Sequence, residues 1–212
     1  MTTMNANASF WNQAAEKYAA SPVADVPAFE RKKAITRSLL NPDATILEIG
    51  CGTGTLALEL ASSAGHIHAL DLSSAMIRIA NSKRAEQGVT NVTFHEGVLA
   101  DPLPVKPGQL DGVWAYSILH LVDDRRDTLR RSFELLKPGG SFVSSNVCLK
   151  ESWIPYSAII AVMRWFGKAP KVHLYDRETI LRELREIGFQ DIREQKVSTN
   201  RKVAFITATK PA

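Results

Sequence analysis

The sequence has 212 residues, enough for one domain that buries roughly 70% of its unfolded surface. Hydrophobic residues make up 45% of the chain and charged residues 23%, which argues against a disordered or membrane-embedded protein. The net charge of +4 is dispersed among acidic residues, whereas a nucleic-acid interface needs clustered basic residues. We therefore expect a globular protein with no nucleic-acid partner.

The pattern predicts helices at 7–20 and 27–40, followed by alternating strands and helices. Further helices are expected from Thr55 to Ala64, from a Ser73 cap to Gln87, from Asp123 or Asp124 to Leu136, and from an Asp176 cap to Gly188. Strands are expected at 45–50, 67–72, 91–95, 110–116, 141–147, 189–197 and 202–209.

Five strands joined by helices, then two strands without a helix between them, indicate one α/β fold. We expect a doubly wound, mostly parallel seven-stranded sheet with an antiparallel edge strand. A single domain would cover 1–212, with an N-terminal helical cap at 1–42 and a lid-like helical insertion at 150–175.

Cysteine usage and the N-terminus bear on the compartment. Cys51 and Cys148 are too few for a disulfide framework, and the histidines at 66, 68 and 95 lack metal-ligand spacing with either. The N-terminus lacks the basic start and apolar core of a signal peptide, and no apolar run reaches the ~20 residues that span a bilayer. We expect a soluble, cytoplasmic protein with no metal and no integral membrane segment.

The first strand ends in a glycine-rich turn. Glu48 is followed by Gly50, Gly52 and Gly54, and Asp71 ends the next strand. Glycine permits positive φ and lets a ligand lie against bare backbone, and ligands of open α/β sheets bind beyond the carboxyl ends of the strands. The turn therefore predicts a cofactor site, with the carboxylate of Asp71 accepting the ribose hydroxyls of an adenosine.

Two details separate the adenosine cofactors. The dinucleotide pattern Gly-x-Gly-x-x-Gly fails, because its third position is Thr55. A carboxylate at Glu48 would also repel a pyrophosphate, whereas it suits the ammonium group of a methionine moiety. An NAD(P)-dependent oxidoreductase is thus the weaker alternative.

Five segments in order resemble the motifs of class I S-adenosylmethionine-dependent methyltransferases, of the small-molecule, methyltransferase-type-11-like kind. They are Glu-Ile-Gly-Cys-Gly-Thr-Gly at 48–54, His-Ala-Leu-Asp-Leu-Ser-Ser-Ala-Met at 68–76, the segments 91–97 and 110–121, and Leu-Lys-Pro-Gly-Gly at 136–140. The resemblance implies a Rossmann-like fold and S-adenosyl-L-methionine as the cofactor.

The resemblance also implies roles for individual residues. The glycine turn would lie beneath the cofactor, Leu72 and Met76 against the adenine, and Tyr116 and Ser117 near the methionine end. Glu48 would support the loop or the ammonium group, and Tyr18 would cover the methionine. The implied cofactor-binding set is Tyr18, Glu48, Gly50, Cys51, Gly52, Gly54, Asp71, Leu72, Met76, Val98, Leu99, Tyr116 and Ser117.

One position departs from the family pattern. Relatives often carry an acid directly after the glycine that matches Gly97, where it receives the adenine amino group. This chain has Val98 and Leu99 there, with Asp101 displaced. Either Asp101 bends back, or water or backbone binds the amino group.

Two features bear on the acceptor. His120, just beyond the fourth strand, is the candidate catalytic base, with orientation of a loop as the alternative. The apolar segment 153–166, with Trp153 and Tyr156, is expected to roof an apolar cavity; a dimer contact or a peripheral membrane contact are the alternatives.

The sequence thus predicts methyl transfer by in-line displacement to a small, apolar or lipid-like acceptor, in a monomer or homodimer. A sensor or scaffold that binds the cofactor without catalysis is the alternative from another class.

Overall fold

The computed structural model describes residues 3–151, 155–200 and 202–212, with the side chains of 3–6 and 151 excepted. Its helices are α1 (Thr3–Ala20), α2 (Val26–Ser38), α3 (Thr55–Leu60), α4 (Ser74–Glu86), α5 (Arg125–Leu135), α6 (Tyr156–Trp165) and α7 (Arg177–Ile187). Its strands are β1 (Thr45–Ile49), β2 (His66–Asp71), β3 (Val92–Glu96), β4 (Leu110–Tyr116), β5 (Leu136–Val147), β6 (Gln190–Gln195) and β7 (Val203–Thr209).

The strands form one seven-stranded sheet in the order β3-β2-β1-β4-β5-β7-β6. β1 pairs in parallel with β2 and β4, and the parallel pairing continues to β3 on one side and β5 on the other. β7 runs antiparallel to both of its neighbours, β5 and β6. The expected doubly wound sheet is confirmed, and its antiparallel strand lies one place in from the edge.

Side-chain caps begin three of the helices where the sequence predicts them. At the start of α4, Ser73 Oγ accepts a hydrogen bond from the Met76 N–H. At the start of α5, Asp124 Oδ1 accepts one from the Asp127 N–H, and at the start of α7, Asp176 Oδ1 accepts one from the Thr179 N–H. Asp124 rather than Asp123 is therefore the cap of α5.

The connection 97–109 between β3 and β4 contains no helix, because it carries three prolines at 102, 104 and 107. Several element boundaries differ from the sequence prediction. α3 ends at Leu60 and continues as a single 3-10 turn, and β5 begins at Leu136, five residues early.

The core lies on both faces of the sheet, and β1 supplies both. Leu47 belongs to the buried cluster under α5 and α7, whereas Ile46 belongs to the cluster under α2, α3 and α4. Because strand side chains alternate, Glu48 follows Ile46 on the α3 side, at the carboxyl end of the strand. In the described part of the chain no helix is long and apolar enough to cross a membrane.

Candidate functional site

A crevice opens at the carboxyl ends of β1, β2 and β4. It comprises two adjoining cavities of about 300 Å³ and 380 Å³. Both cavities are lined by Gly50, Asp71, Leu72, Ile118 and Leu121. The switch in strand order beside β1 thus places the crevice where open α/β sheets bind ligands.

The three glycines of the turn all adopt positive φ but serve different purposes. A Cβ at Gly50 would lie 2.5 Å from Ile118, and one at Gly54 would lie 2.5 Å from the ring of Phe94. A Cβ at Gly52 would meet nothing closer than 3.6 Å, the distance to the Tyr18 ring. Gly50 and Gly54 are therefore required by packing, and of the three glycines only Gly52, which lines the second cavity, has room for a Cβ.

Asp71 fixes the shape of the turn. Its Oδ2 accepts the Gly52 N–H at 2.9 Å, and its Oδ1 accepts the Ser73 N–H at 2.9 Å. Burial raises the pKa of Asp71, and these two hydrogen bonds oppose the rise. Each carboxylate oxygen keeps a second lone pair, so the side chain can still accept two hydroxyl groups.

Glu48 is buried beside Asp71. Desolvation and the Asp71 charge raise the pKa of Glu48 to about 8, and the Ala57 backbone N–H opposes the rise. Its Oε2 has no hydrogen-bond partner within the described part of the chain. Cys51, in the same turn, is a buried free thiol whose pKa burial raises. The arrangement favours a cation near Glu48.

Side chains from α1, from α4 and from the loop between β2 and α4 line the second cavity. Tyr18 and Met76 line the second cavity with Leu72, and Tyr18 packs edge-on against Trp11 at 6.2 Å. Asn12 holds α1 against the start of α4, because its Oδ1 accepts a hydrogen bond from the Ser73 hydroxyl at 2.7 Å. The N-terminal helix is thereby fixed beside the crevice.

The end of β4 contributes a strained residue. Ser117 has φ of +54°, is exposed in the crevice, and donates its N–H to the Ser145 carbonyl at 2.8 Å. Non-glycine residues at positive φ are uncommon and cluster at functional sites. The neighbouring Tyr116 hydroxyl shares a 2.5 Å hydrogen bond with Thr36, and burial raises its pKa.

Asp101 contacts the backbone of its own turn. Its carboxylate bends back toward Gly97, but Oδ2 accepts the Val98 backbone N–H at 2.9 Å. Val98 and Leu99 line the first cavity, whereas Asp101 is not among the residues that line it. Asp101 therefore stabilises the turn.

His120 lines the second cavity. Burial lowers its pKa to about 4, so the imidazole is neutral at pH 7. Its Nδ1 has no partner among the described residues, and its backbone carbonyl accepts the His173 N–H at 2.7 Å. The ring is free to accept a proton, although its low pKa makes it a weak base.

The lid-like insertion reaches the crevice at only two of its described residues. Pro170 and Val172 line the second cavity. Tyr156 instead receives a hydrogen bond from Lys202 at 2.8 Å, and no residue of α6 lines either cavity. Trp153 lies outside the described residues.

Sequence reasoning missed a third, polar cavity of about 550 Å³ that adjoins the turn at Gly50. Lys32 lines it, together with Glu48 and Ser117. The Lys32 Nζ donates to Ser145 Oγ at 2.8 Å. Burial lowers the pKa of Lys32, and the charge of Asp25 opposes this shift. No signal in the sequence marks Lys32, because it lies in a basic run that is typical of a solvated helix.

Comparison with known proteins places these residues in a family. Residues 40–185 match the family model of the methyltransferase domain. The O-methyltransferase resE of Aspergillus sclerotiorum is 28% identical over 70% of this chain and 58% of its own length. A ubiquinone biosynthesis O-methyltransferase of Xylella fastidiosa is 31% identical over 49% of this chain and 42% of its own. The chain thus spans about half the length of these two relatives.

The fold has close counterparts among solved structures. The phosphoethanolamine N-methyltransferase 2 of Haemonchus contortus, solved with S-adenosyl-L-methionine, superposes with a TM-score of 0.70 at 19% identity. The match covers 87% of this chain and 53% of that one. At this identity the likeness concerns the fold alone, whereas the family model spans more than half of the sequence. The chain belongs to the methyltransferase domain family.

Proposed function

We propose that this protein transfers a methyl group from S-adenosyl-L-methionine to a small-molecule acceptor. The observation that carries the proposal is the open backbone of Gly52 held beside the Asp71 carboxylate. Only this glycine of the turn is free of a packing requirement, and it lies where a flat ligand would need bare main chain. Asp71 would bind the ribose hydroxyls through its remaining lone pairs.

The other residues of the crevice fit the remaining parts of the cofactor. Leu72, Val98 and Leu99 provide apolar walls for an adenine. Glu48, with its unpartnered oxygen, would receive the ammonium group. Lys32, from the adjoining cavity, would complement the carboxylate of the methionine. Cys51 would be a small wall residue, since burial keeps it a neutral thiol.

When bound, the sulfonium supplies an already activated methyl group. The protein's task is then to align an acceptor and exclude water, which can lower a barrier by roughly 7–11 kcal/mol. Tyr116, Ser117, Val147 and Val172 border the space beyond the turn. We propose that His120 accepts a proton from the acceptor there, and that an acceptor ionised on its own would not need it.

The proposal extends to the domain organisation, the compartment and the class of acceptor. We propose one methyltransferase domain over 1–212, with α1 and α2 as its cap and 150–175 as the boundary of the acceptor site. Cys51 and Cys148 are buried and form no disulfide within the described residues, which supports a reducing, cytoplasmic setting. The apolar linings favour a small apolar acceptor, taken up by a monomer or a homodimer.

Calorimetric titration with S-adenosylhomocysteine tests the cofactor assignment. We expect Asp71→Asn to weaken binding about 10- to 100-fold, since hydrogen bonds to a charged group are worth about 1.5–3 kcal/mol each. Asp111→Asn is the matched control, because Asp111 binds Lys137 and the Thr45 N–H at the opposite end of the strands. Unchanged affinity in Asp71→Asn, or tighter binding of NAD, would refute the assignment.

Labelled cofactor incubated with a metabolite extract tests the transfer itself. Methylated products resolved by mass spectrometry are expected from the native protein, with a lower rate from His120→Gln and weaker cofactor binding from Lys32→Met. Tight cofactor binding with no product from broad extracts would instead favour a sensor or scaffold.

A further inference from the structure

Helix α6 is largely exposed, and only Tyr156 and Ile160 are half-buried. None of its residues is buried, although eight of its ten residues are apolar or aromatic. Trp165 is 86% exposed, the following Phe166 67% and Val162 55%. Soluble domains seldom leave so many large apolar side chains together in water, so this surface is expected to have an occupant.

The apolar surface forms one broad face. At about 100° per residue, Ile159, Val162, Met163 and Phe166 fall on one side of the helix. Trp165 widens that side, and the polar side chains within α6 are Ser157 and Arg164, which share a narrow strip opposite. The helix therefore offers a wide apolar face with a cation at its border.

The flanking charges have one sign. The sequence from 152 to 175 contains no acidic residue, but it contains the basic residues Arg164, Lys168 and Lys171. Arg164 and Lys168 are exposed, and Lys171 contacts Asp123 at 3.0 Å. An occupant of this surface is therefore expected to be apolar where it meets α6 and anionic at its edge.

We propose that α6 and the residues that follow it, 156–168, form a docking surface for an anionic phospholipid membrane. The apolar face would enter the boundary between headgroups and acyl chains, and Trp165 suits that boundary because its ring is apolar with one polar N–H. Arg164 and Lys168 would meet the anionic headgroups. The ten-residue helix is far too short to span a bilayer, so it lies in the interface.

A second copy of the chain is a poorer occupant. A twofold contact through α6 brings the same basic residues of both copies together without an acid in 152–175 to neutralise them. An anionic membrane provides both an apolar phase for the face of α6 and negative charge for the basic residues beside it.

Docking through α6 has a consequence for the crevice, which rests on the proposed function. Pro170 and Val172, only a few residues beyond α6, line the second cavity. The membrane would then lie near the side of the crevice that receives the acceptor, so an apolar acceptor could enter from the lipid phase.

Sedimentation with vesicles tests the docking surface. We expect the protein to sediment with mixed phosphatidylcholine and phosphatidylglycerol vesicles and to remain in solution with phosphatidylcholine alone. Trp165→Ser with Phe166→Ser should weaken partition at least about tenfold, because both rings are lost from the interface. Arg164→Gln with Lys168→Gln should weaken it at least about fivefold, and high salt should do the same.

Val26→Ser is the matched control, because Val26 is a 52% exposed apolar residue of another helix, α2. It should sediment as the native protein does. Failure of the native protein to bind anionic vesicles would overturn the proposal, and so would equal loss in the control or equal binding to neutral vesicles. A concentration-dependent dimer in sedimentation velocity that Phe166→Ser abolishes would overturn it in favour of a second copy.

Titration with S-adenosylhomocysteine on the same samples separates this proposal from the proposed function. The α6 variants should keep the native cofactor affinity, since α6 lines neither cavity of the crevice. If the native protein binds S-adenosylhomocysteine but not vesicles, the docking proposal is refuted and the proposed function is not.

Discussion

Glu48 connects protonation to ligand binding at the scale of a single residue. With a pKa of about 8, its carboxyl group is mainly protonated at pH 7 when no cation is near. An ammonium group beside its unpartnered oxygen would favour the ionised form and lower the pKa. Binding of the cofactor is then linked to the release of a proton.

We expect S-adenosylhomocysteine to release about one proton at pH 7 from the native protein, and almost none from Glu48→Gln. Titration calorimetry in phosphate and in Tris, which differ in ionisation enthalpy, measures this number directly. S-adenosylhomocysteine carries the ammonium but no sulfonium, so the result reports on the methionine end.

Glu59→Gln serves as the control for that measurement, because Glu59 pairs with Lys33 outside the crevice. It should release as many protons as the native protein. Equal release by Glu48→Gln and the native protein would show that Glu48 does not face the ammonium group.

At the scale of an element, the turn from β1 to α3 uses glycine for two physical reasons. At Gly54 a Cβ would lie 2.5 Å from Phe94 Cζ and 3.0 Å from the Ala80 methyl group. At Gly88, which follows α4, φ is also positive, but nothing lies within 4 Å. The two positions therefore separate backbone strain from steric overlap.

We expect Gly88→Ala to lower the free energy of unfolding by about 1–2 kcal/mol, the cost of a left-handed backbone. Gly54→Ala should lower the free energy of unfolding by about 1–3 kcal/mol more than Gly88→Ala does, because its methyl group would overlap with the Phe94 ring. Urea unfolding of both variants measures the difference. Phe94→Leu should recover part of the extra loss in a double-mutant cycle.

Equal losses in the two alanine variants would show that Phe94 moves aside freely. Gly52→Ala extends the comparison to the crevice. It should resemble Gly88→Ala in stability, since its Cβ has room, but it should lose affinity for S-adenosylhomocysteine.

For the whole molecule, the parts predictable from sequence are those that local chemistry determines. Ser73 and Asp176 cap helices as expected, and positive φ at the turn follows from its glycines. These features depend on neighbours a few residues away. The absence of a helix at 97–109 is equally local, since the three prolines of this segment are visible in the sequence.

The place of Lys32 in the polar cavity was not predictable, because long-range contacts position this side chain. Three successive basic residues of α2 have unrelated partners. Arg31 donates to the Val197 carbonyl, Lys32 to Ser145, and Lys33 pairs with Glu59. The first two partners lie 166 and 113 residues away along the chain. The sequence alone does not indicate which of the three basic residues lines the polar cavity.

Buried titratable groups should also shape how stability depends on pH across the whole fold. Burial lowers the pKa of His68 and of His120 from 6.5 to about 4, so the unfolded chain binds more protons between those values and stability rises with pH. Glu48 acts in the opposite sense. Its pKa rises from 4.5 to about 8, so the folded state holds the extra proton and stability falls as pH rises through that window.

Below pH 6.5 the gain from His120 and the small gain from His68 roughly offset the loss from Glu48, whereas above pH 6.5 Glu48 acts alone. We therefore expect the stability of the cofactor-free protein to change little up to about pH 6.5 and to decline above it. Urea unfolding from pH 4.5 to 8.5 measures the profile. Glu48→Gln should remove the decline on the alkaline side, at most about 3–4 kcal/mol between pH 5 and 8. His68→Gln should alter the acid side by no more than about 1 kcal/mol, because its half-exposed ring is screened by water. A decline above pH 6.5 that persists unchanged in Glu48→Gln would mean that the carboxyl group ionises normally in the folded protein.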